Sequence, residues 1–304
     1  MVSISKTFSV QLSEATWREQ QKAQRAGLDE FVAAHLERRR RGQKHPVWDF
    51  LFEYYGFKPS HLLRFSPGIG VVLECASELC ERREWTRTEG GAILDLARFP
   101  VHRLEGAREI LAVLEATQQR AARYDCFGLH EWAMVYRAQE VRHALPLRLP
   151  NAEIENLIES QTVRCSHFDA VRFFTDDALP LNVFNPKSDN RADFEQPGCI
   201  HANMDLYKWA TKFSPWLASA LLVEAFWLAK DARELDMRAS PYDLSSFGFQ
   251  PIRIETPEGR REYAGLQREV AQRAAPLRER LIVAYQGLID AVEYGDLQQL
   301  QGFE

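Results

Sequence analysis

The sequence has few cysteines, and none of them is spaced as a structural motif requires. Its five cysteines are scattered, odd in number and without a CxxC pair. Disulfide frameworks and zinc ribbons need paired or closely spaced cysteines, so neither is indicated. A reducing compartment fits this pattern best, and we predict a cytoplasmic protein.

Long apolar runs and glycine-rich motifs are also missing. No run approaches the roughly 18 apolar residues of a membrane span, and the initial segment MVSISKTFSV lacks the regions of a signal peptide. We therefore expect neither export nor a membrane partner. The chain has no Gly-x-Ser-x-Gly elbow, HExxH pair, Walker loop or dinucleotide fingerprint, so common hydrolase, protease, NTPase and Rossmann interpretations lose support.

What is present is an acidic chain with enough apolar residues for a sizeable core, 45% hydrophobic and 11% aromatic. The net charge of −5 argues against a surface built wholly for nucleic acid. A local basic strip is nevertheless a candidate site for DNA phosphates. The alternative is a solvated helix end, where cations favour the dipole. The basic strip consists of Arg38, Arg39, Arg40, Arg41 and Lys44.

Periodicity and breaker residues predict a mostly α protein, a single large helical domain with a few minor short strands over residues 1–304. Polar helices are expected over 13–43 with a break near Gly27, then a pocket-forming core over 45–250. One or two helices over 258–294 are expected to be interrupted near Pro276.

Within the core, turn and capping residues mark the expected element boundaries. Residues 71–73 are predicted as a short strand, and Ser166 as the N-cap of the helix over 168–174. The segment 175–198 is rich in Pro, Asp and Asn and is predicted to be irregular, with the length of a lid. Further helices are predicted over 45–55, 107–122, 128 towards His143, 151–159, 203–213 and 215–233.

Five short islands hold most of the residues that can do chemistry. Histidine and carboxylate groups beside aromatic rings are expensive to bury unless every polar group is paired. We therefore interpret the islands as the wall of one pocket. They are residues 45–55 (HPVWDFLFEYY), 128–136 (GLHEWAMVY), 165–174 (CSHFDAVRFF), 195–209 (EQPGCIHANMDLYKW) and 236–244 (DMRASPYDL).

The first two islands each have a functional and a structural interpretation. On a helix, His45, Asp49 and Glu53 share one face, which either enters a pocket or belongs to an ordinary amphipathic helix. In the second island, at most one of His130 and Glu131 is expected to face the site. Glu131 is a candidate acid or base, or the partner of an arginine.

The third and fourth islands contain candidate ligand pairs. The HxD spacing of His167 and Asp169 suits a 2-His-1-carboxylate site completed by His201, or the ordinary start of a helix. His201 and Asp205 are four residues apart, so on a helix Asp205 either orients the imidazole or forms a satisfied buried pair with it.

The fifth island surrounds a proline turn. Two aspartates there flank an arginine, which suggests a fixed ion-pair network that either positions a substrate or holds the turn. The residues concerned are Asp236, Arg238, Tyr242 and Asp243.

Taken in order, these motifs resemble those of a bacterial family that carries the name 3-methyladenine DNA glycosylase. The resemblance rests on HPVWDFLFEYY, RFSPG, GLHEWAMVY, HFDAVRFFT, EQPGCIHANMDLYKW and DMRASPYDL and covers nearly the whole length. It implies cofactor-free hydrolysis of the N-glycosidic bond of alkylated purines in damaged DNA. The helix-hairpin-helix loop LPGxG is not evident, so the resemblance implies a separate scaffold.

An N3-alkylated adenine is cationic and already a good leaving group, so strong acid catalysis is unnecessary. The enzyme must hold the base against aromatic rings and place a carboxylate near the sugar. Candidates for catalysis are Asp169, Glu131, Asp205, His201 and His167. Candidates for substrate binding are Trp48, Tyr54, Tyr55, Trp132, Tyr207, Lys208, Arg238, Tyr242 and Asp243, with the basic strip on the phosphates.

Two other functions use the same islands. A metal-dependent enzyme acting on a small molecule would hold a transition metal with histidine and carboxylate ligands from facing helices. A non-catalytic protein that captures an aromatic ligand would use the pocket without its carboxylates. The candidate metal ligands are His45, His130, Glu131, His167, Asp169, His201 and Asp205.

Overall fold

The computed structural model describes residues 10–141 and 144–301. The protein is mostly α, with 56% helix and 6% strand in one large helical domain, which confirms the predicted fold class. The α-helices are α1 (Glu14–Arg25), α2 (Leu28–Arg40), α3 (Phe50–Glu53), α4 (Leu104–Gln119), α5 (Leu129–Ala133), α6 (Asn151–Ser160), α7 (Phe168–Val171), α8 (Arg191–Phe194), α9 (Ile200–Lys212), α10 (Ser219–Arg238) and α11 (Pro257–Gln301).

A small sheet packs beside the helices. Its order is β1-β2-β4-β3, with β1 parallel to β2 and the other two pairs antiparallel. The strands are β1 (Val10–Leu12), β2 (Val71–Leu73), β3 (Trp85–Thr88) and β4 (Gly91–Leu94). Short 3-10 helices occupy Pro59–His61, Ser77–Glu81, Leu96–Arg98, Val101–Arg103, Leu179–Leu181 and Ser245–Phe247.

The core centres on α9, which packs against α10 and α11, while α11 also packs against α4. Most residues of α9 are buried, and α10 buries an apolar stripe that includes Leu222 and Phe226. Tyr285 of α11 donates a hydrogen bond to the Trp209 carbonyl oxygen at 2.7 Å, which ties α11 to α9. Polar residues carried by α9 therefore lie in the interior. Among the described residues, no helix is long and apolar enough to cross a lipid bilayer.

Several predicted elements agree with the structure. The strand at Val71–Leu73 is present as β2, and α6 begins and ends within one residue of its predicted bounds. Gly27 separates α1 from α2 with a φ of 76°, a left-handed conformation that favours glycine. The predicted break between the amino-terminal helices is therefore correct.

The helix predicted over 45–55 is wrong in extent, because only α3 (Phe50–Glu53) is helical. Turns precede it, held by side-chain to backbone hydrogen bonds. The Asp49 carboxylate accepts from the His45 amide at 2.7 Å, and His45 Nδ1 accepts from the amides of Val47 and Trp48. Such local bonds compete with helix formation, and periodicity does not reveal them.

Other predicted boundaries are also wrong. The helix expected from 128 towards His143 ends at Ala133 as α5, and His143 itself lies outside the described residues. Ser166 is not the N-cap of α7; His167 occupies that position, and α7 ends at Val171. α11 continues through Pro276 without the expected interruption. The expected lack of a signal sequence stays a prediction. Residues 1–9 of the initial segment lie outside the described residues.

The segment 175–198 is largely irregular, as predicted, but contains α8, and its end is fixed to the residues after α4. The Gln196 side chain accepts from the Arg123 amide at 2.8 Å and donates to the Arg123 carbonyl at 3.1 Å. At Gly198, an added Cβ would lie 2.3 Å from the Arg123 carbonyl oxygen. This close backbone approach positions Glu195 in the interior.

We expect Gly198→Ala to destabilise the protein by about 1–3 kcal/mol, because the methyl group overlaps rigid backbone atoms. Gly106→Ala is the matched control, since Gly106 lies in α4 with nothing within 4 Å of its Cβ position. There alanine should be neutral or stabilise by about 0.5–1 kcal/mol. Urea unfolding of both variants measures the difference. Equal stability of Gly198→Ala and wild type would contradict the close approach.

Candidate functional site

Five helices bring charged and polar side chains to the interior around α9 and α10. They form two adjoining groups that we name by position. The first cluster consists of His167, Asp169, Arg191, Glu195, Asp205 and Lys208, and the second cluster consists of His130, Glu131, His201, Arg233 and Asp236.

His167 lies at the centre of the first cluster with its side chain 1% exposed. Its Nε2 atom is 3.4 Å from Oδ2 of Asp205 and 3.5 Å from Oε1 of Glu195. Neither ring nitrogen of His167 makes a hydrogen bond to any described residue, and Glu195 Oε1 also lacks one. Buried polar atoms are nearly always hydrogen-bonded to protein, ordered water or a ligand, so three such atoms in one place mark a candidate binding position.

Cations surround the carboxylates of this cluster. Lys208 Nζ lies 2.9 Å from Asp169 and 3.1 Å from Asp205. Arg191 lies 2.9 Å from Asp169 and 3.5 Å from Glu195. Lys208 thus links Asp169 to Asp205, and Arg191 links Asp169 to Glu195. These contacts bring together α7, α8 and α9.

Burial and the neighbouring cations have opposite effects on the pKa values of the carboxyl groups. Burial alone would raise the pKa of Asp169, but the Arg191 guanidinium at 2.9 Å and the Lys208 charge lower it to about 2. Burial likewise opposes ionisation of Asp205, whose pKa Lys208 and His167 hold below the ordinary value. For Glu195, burial dominates and raises the pKa. Two of the three carboxylates are therefore firmly ionised.

The residues present fit a metal ion. His167, Glu195 and Asp205 each offer a ligand atom, all within 4.8 Å of one another. A tetrahedral site with metal–ligand bonds of about 2.1 Å separates its ligand atoms by about 3.4 Å, close to the distances from His167 Nε2. One imidazole and two carboxylates form a donor set suited to zinc, iron or manganese.

The second cluster is more completely paired. Asp236 accepts from His130 Nε2 at 2.8 Å and from Arg233 at 3.1 Å, and Arg233 also donates to Glu131 at 3.2 Å. Burial would lower the pKa of His130, but the charges of Asp236 and Cys126 raise it. Burial raises the pKa of Asp236, but the charge of His130 lowers it by more. The pKa of Asp236 is therefore below its ordinary value. This cluster is an internal ion-pair network.

His201 links the two clusters. Its ring centroid is 4.6 Å from that of His130 and 5.4 Å from that of His167, on which it stacks. Its Nε2 lies 3.8 Å from Asp236, and its Nδ1 has no hydrogen-bond partner among the described residues. Burial lowers the pKa of His201 to about 3, so the imidazole is neutral near pH 7. A neutral imidazole is able to accept a hydrogen bond or bind a metal.

Two thiols adjoin the second cluster. Cys126 Sγ lies 3.4 Å from His130 Nδ1, and the Sγ atoms of Cys126 and Cys165 lie within 4.8 Å of each other. The neighbouring Cys165 thiol lowers the pKa of Cys126, whereas Cys126 and burial raise the pKa of Cys165. With His130, the thiols form a second group of potential metal ligands, and His130, His201 and Asp236 form a third.

An open cavity of about 570 Å³ lies outside the first cluster, which we call the outer cavity. Its lining includes His45, Asp49, Glu53 and Tyr54, with Lys44 also in the wall. Tyr54 accepts a long hydrogen bond of 3.4 Å from Arg172, which is itself 3.5 Å from Asp169. Tyr55 donates to Asp205 at 3.1 Å. The two tyrosines thus connect this cavity with the first cluster.

The structure brings together many, but not all, of the candidate site residues. His167, Asp169, Asp205 and Lys208 meet in the first cluster, with Tyr55 against them. The remaining candidates meet in the second cluster or lie elsewhere. Both members of the His130 and Glu131 pair are buried in the second cluster, which corrects the expectation that at most one faces it.

Three of the aromatic candidates for substrate binding, Trp132, Tyr207 and Tyr242, are core residues. Trp132 is fully buried, and its indole donates to the Ala239 carbonyl at 2.8 Å. Tyr207 is 1% exposed, and Trp48 packs on Phe31 and Phe249. Among the predicted stacking residues, Tyr54 lines the outer cavity.

Several predicted partnerships are wrong because the side chains find partners far away in sequence. Asp205 contacts His167 rather than His201. Asp236 pairs with His130 and Arg233 instead of forming a network with its neighbours. Arg238 donates to the Gln250 carbonyl, Asp243 accepts from the Ser245 amide, and Tyr242 is buried in a bridge with Leu147.

His45 and the basic strip lie apart from both clusters. His45 stacks on Trp48 and contacts Phe247, so it does not join the other candidate metal ligands. Arg40 and Arg41 pair with Glu37, and Arg38 lies 3.6 Å from Asp49. Arg39 and Lys44 are exposed. Much of the charge in the strip is thus neutralised within the protein.

Sequence reasoning missed three residues of the clusters, Arg191, Glu195 and Arg233, and the adjoining Cys126. Arg191 and Glu195 are four residues apart, and Arg233 and Asp236 are three apart, which are the spacings of helical ion pairs. Arg191 lies in a segment predicted to be irregular, and Arg233 is the last residue of a predicted helix. Cys126 carried no signal at all, since its partner Cys165 is distant in sequence.

Comparisons of the chain with protein-family models, with curated proteins and with solved structures found no match. No function can therefore be carried over from a relative through these comparisons.

We expect Arg233→Met to destabilise the protein by about 3–5 kcal/mol, because it leaves two buried carboxylates without their shared cation. Arg273→Met is the matched control, since Arg273 pairs with Asp231 at an exposed position. Exposed ion pairs contribute little to the free energy of unfolding. Chemical denaturation measures both free energies of unfolding. A similar small effect of the two substitutions would show that the second cluster does not depend on Arg233.

Proposed function

We propose that this protein is a metal-dependent enzyme acting on a small molecule, with His167, Glu195 and Asp205 as metal ligands. The observation that carries the proposal is the buried, unpaired imidazole of His167 between two carboxylates at 3.4 and 3.5 Å. A protein interior rarely tolerates such atoms without a ligand. Three protein ligands with an open coordination position are typical of catalytic metal sites.

When bound, the metal would polarise a substrate oxygen or activate a water molecule. The chain itself provides the rest of the site. Lys208 fixes Asp169 beside Asp205, and Arg191 keeps Asp169 ionised next to the ligands. Asp169 lies outside the proposed ligand set, and with a pKa of about 2 it is too weak a base to take up a proton efficiently at neutral pH; its role here is to hold Lys208 and Arg191 beside the ligands.

The charges near the first cluster favour an anionic substrate. His167, Glu195 and Asp205 are almost fully buried, whereas the side chains of Lys208 and Arg191 are 17% and 16% exposed. A molecule that approaches the ligands from this side meets the two cations first. Cationic entrances attract anions and raise their local concentration.

We expect protein purified without added metal to carry about one transition-metal ion per chain by elemental analysis. His167→Ala and Asp205→Asn should each lose it, because each removes a ligand. His102→Ala is the matched control, since His102 is an exposed histidine on the short helix before α4. A chelator should lower the melting temperature of wild type and of His102→Ala only. Absence of stoichiometric metal from the wild type, together with no metal effect on stability, would contradict the proposal.

A second function, removal of alkylated purines such as 3-methyladenine from DNA, is favoured by the outer cavity. Its volume of about 570 Å³ suits a flipped base. Tyr54 stacks on Phe50 with centroids 4.5 Å apart, and Glu53 and Asp49 supply carboxylates nearby. Arg172 connects Tyr54 to Asp169, the carboxylate that the sequence suggests for catalysis.

If the glycosylase proposal is correct, wild type should release 3-methyladenine from methylated duplex DNA, as measured by mass spectrometry of free bases. Asp169→Asn should abolish release without unfolding the protein, and Tyr54→Ala should weaken it through loss of stacking. Asp177→Asn, at an exposed position, is the control. No release by wild type would rule out this function, and undiminished release by Asp169→Asn would remove Asp169 from the mechanism.

A further inference from the structure

A second cavity, of about 370 Å³, lies where the end of α9 meets β3 and the residues after α3. We call it the basic cavity, because its lining carries a strong excess of positive charge. The charged and titratable side chains in its wall are His61, Arg64, Arg82, Glu84, Arg103 and Lys212. Four full cations thus face one carboxylate, in a protein whose net charge is −5.

These cations are not neutralised by the protein itself. In the described part of the chain, Arg64, Arg82, Arg103 and Lys212 form no ion pair within 4 Å, whereas most arginines elsewhere have a carboxylate partner. Burial and the charges of Lys208, Arg103 and Arg191 lower the pKa of Lys212. Like charges held together in a concave site repel one another, and a bound anion relieves this repulsion.

The cavity is also shaped and held in place. Arg103 donates a hydrogen bond to the Lys212 carbonyl oxygen, and its guanidinium lies 4.6 Å from the Phe213 ring centroid. Trp85, in the same wall, is 1% exposed, and its indole N–H has no acceptor among the described residues. Phe57 adds an apolar surface. The site therefore combines Arg103, which these contacts hold in place, with the exposed cations Arg64, Arg82 and Lys212 and an aromatic wall.

We propose that the basic cavity binds a small molecule that bears a phosphate group, with Arg82, Arg103 and Lys212 on the phosphate and Phe57 against its organic part. Arginine and lysine are the usual phosphate-binding side chains, and a pocket of this volume accepts a small phosphorylated ligand. The concave shape and the acidic protein surface favour a small molecule over DNA, which needs an extended cationic face.

This proposal does not require a metal, although the basic cavity adjoins the first cluster. Lys208 and Lys212 lie four residues apart on α9, about 6 Å along the axis. Phe57 in the cavity wall stacks on Tyr55, which binds Asp205. A phosphorylated ligand would consequently sit beside the charged entrance to the first cluster.

Isothermal titration calorimetry of the full chain with pyrophosphate, adenosine 5′-diphosphate and adenosine tests the proposal. Wild type should bind the two phosphate compounds and not adenosine. Lys212→Gln and Arg82→Gln should each weaken binding by about 10-fold or more, because each removes a charge-assisted contact. Arg261→Gln is the matched control, since Arg261 is exposed and pairs with Glu258 on α11. Melting temperatures of all variants verify that they are folded.

The proposal is overturned if wild type binds neither phosphate compound at about 10 mM. It is also overturned if Arg261→Gln weakens binding as much as Lys212→Gln does, since the effect would then be one of net charge. A short DNA duplex provides the last comparison. Binding of the duplex in the absence of any binding of the small phosphates would assign the basic cavity to nucleic acid instead.

Discussion

The pairing of buried charges around α9 and α10 is the constraint on which the rest of the structure depends. Asp205 and Asp236 lie on the buried faces of these helices with side chains 2% and 0% exposed. An isolated buried carboxylate is strongly destabilising, so each must meet cations in good geometry. Lys208 and Arg233 lie on the same helices as their carboxylates. The other partners come from α5, α7 and α8, which are thereby held against the core.

The two clusters differ in how many of their polar atoms are paired. Asp236 has His130 and Arg233 as hydrogen-bond partners, although His201 Nδ1 and Arg233 Nε have none among the described residues. Both ring nitrogens of His167 also lack a hydrogen bond to the described residues, although two carboxylates lie within 3.5 Å of Nε2. Buried polar atoms are nearly always paired with protein, water or a ligand, so the first cluster is the better candidate for a binding site. The second cluster, whose central carboxylate is bonded twice, helps to order the interior around the first.

The mostly α fold was predictable because helical periodicity and glycine breaks are local signals, as at α6 and Gly27. Contacts within the site were much less predictable. Spacing along a helix suggested that Asp205 pairs with His201, but in the folded protein Asp205 contacts His167. Asp236 likewise pairs with His130, which lies 106 residues away in sequence. Sequence neighbours compete with partners that only the fold supplies, and a single sequence contains no information on which will prevail.

The basic strip and the basic cavity differ in how many of their cations already have a carboxylate partner. This difference decides which of the two surfaces is better suited to bind an anion. In the basic strip, Arg40 and Arg41 pair with Glu37, and Arg38 lies near Asp49. In the basic cavity, Arg82 and Lys212 have no such partner within the described residues. Cations already paired must break those bonds to bind phosphate, whereas unpaired cations in a concavity gain from it. Electrostatics therefore favours a small anionic ligand beside the end of α9 over a nucleic-acid backbone along α2.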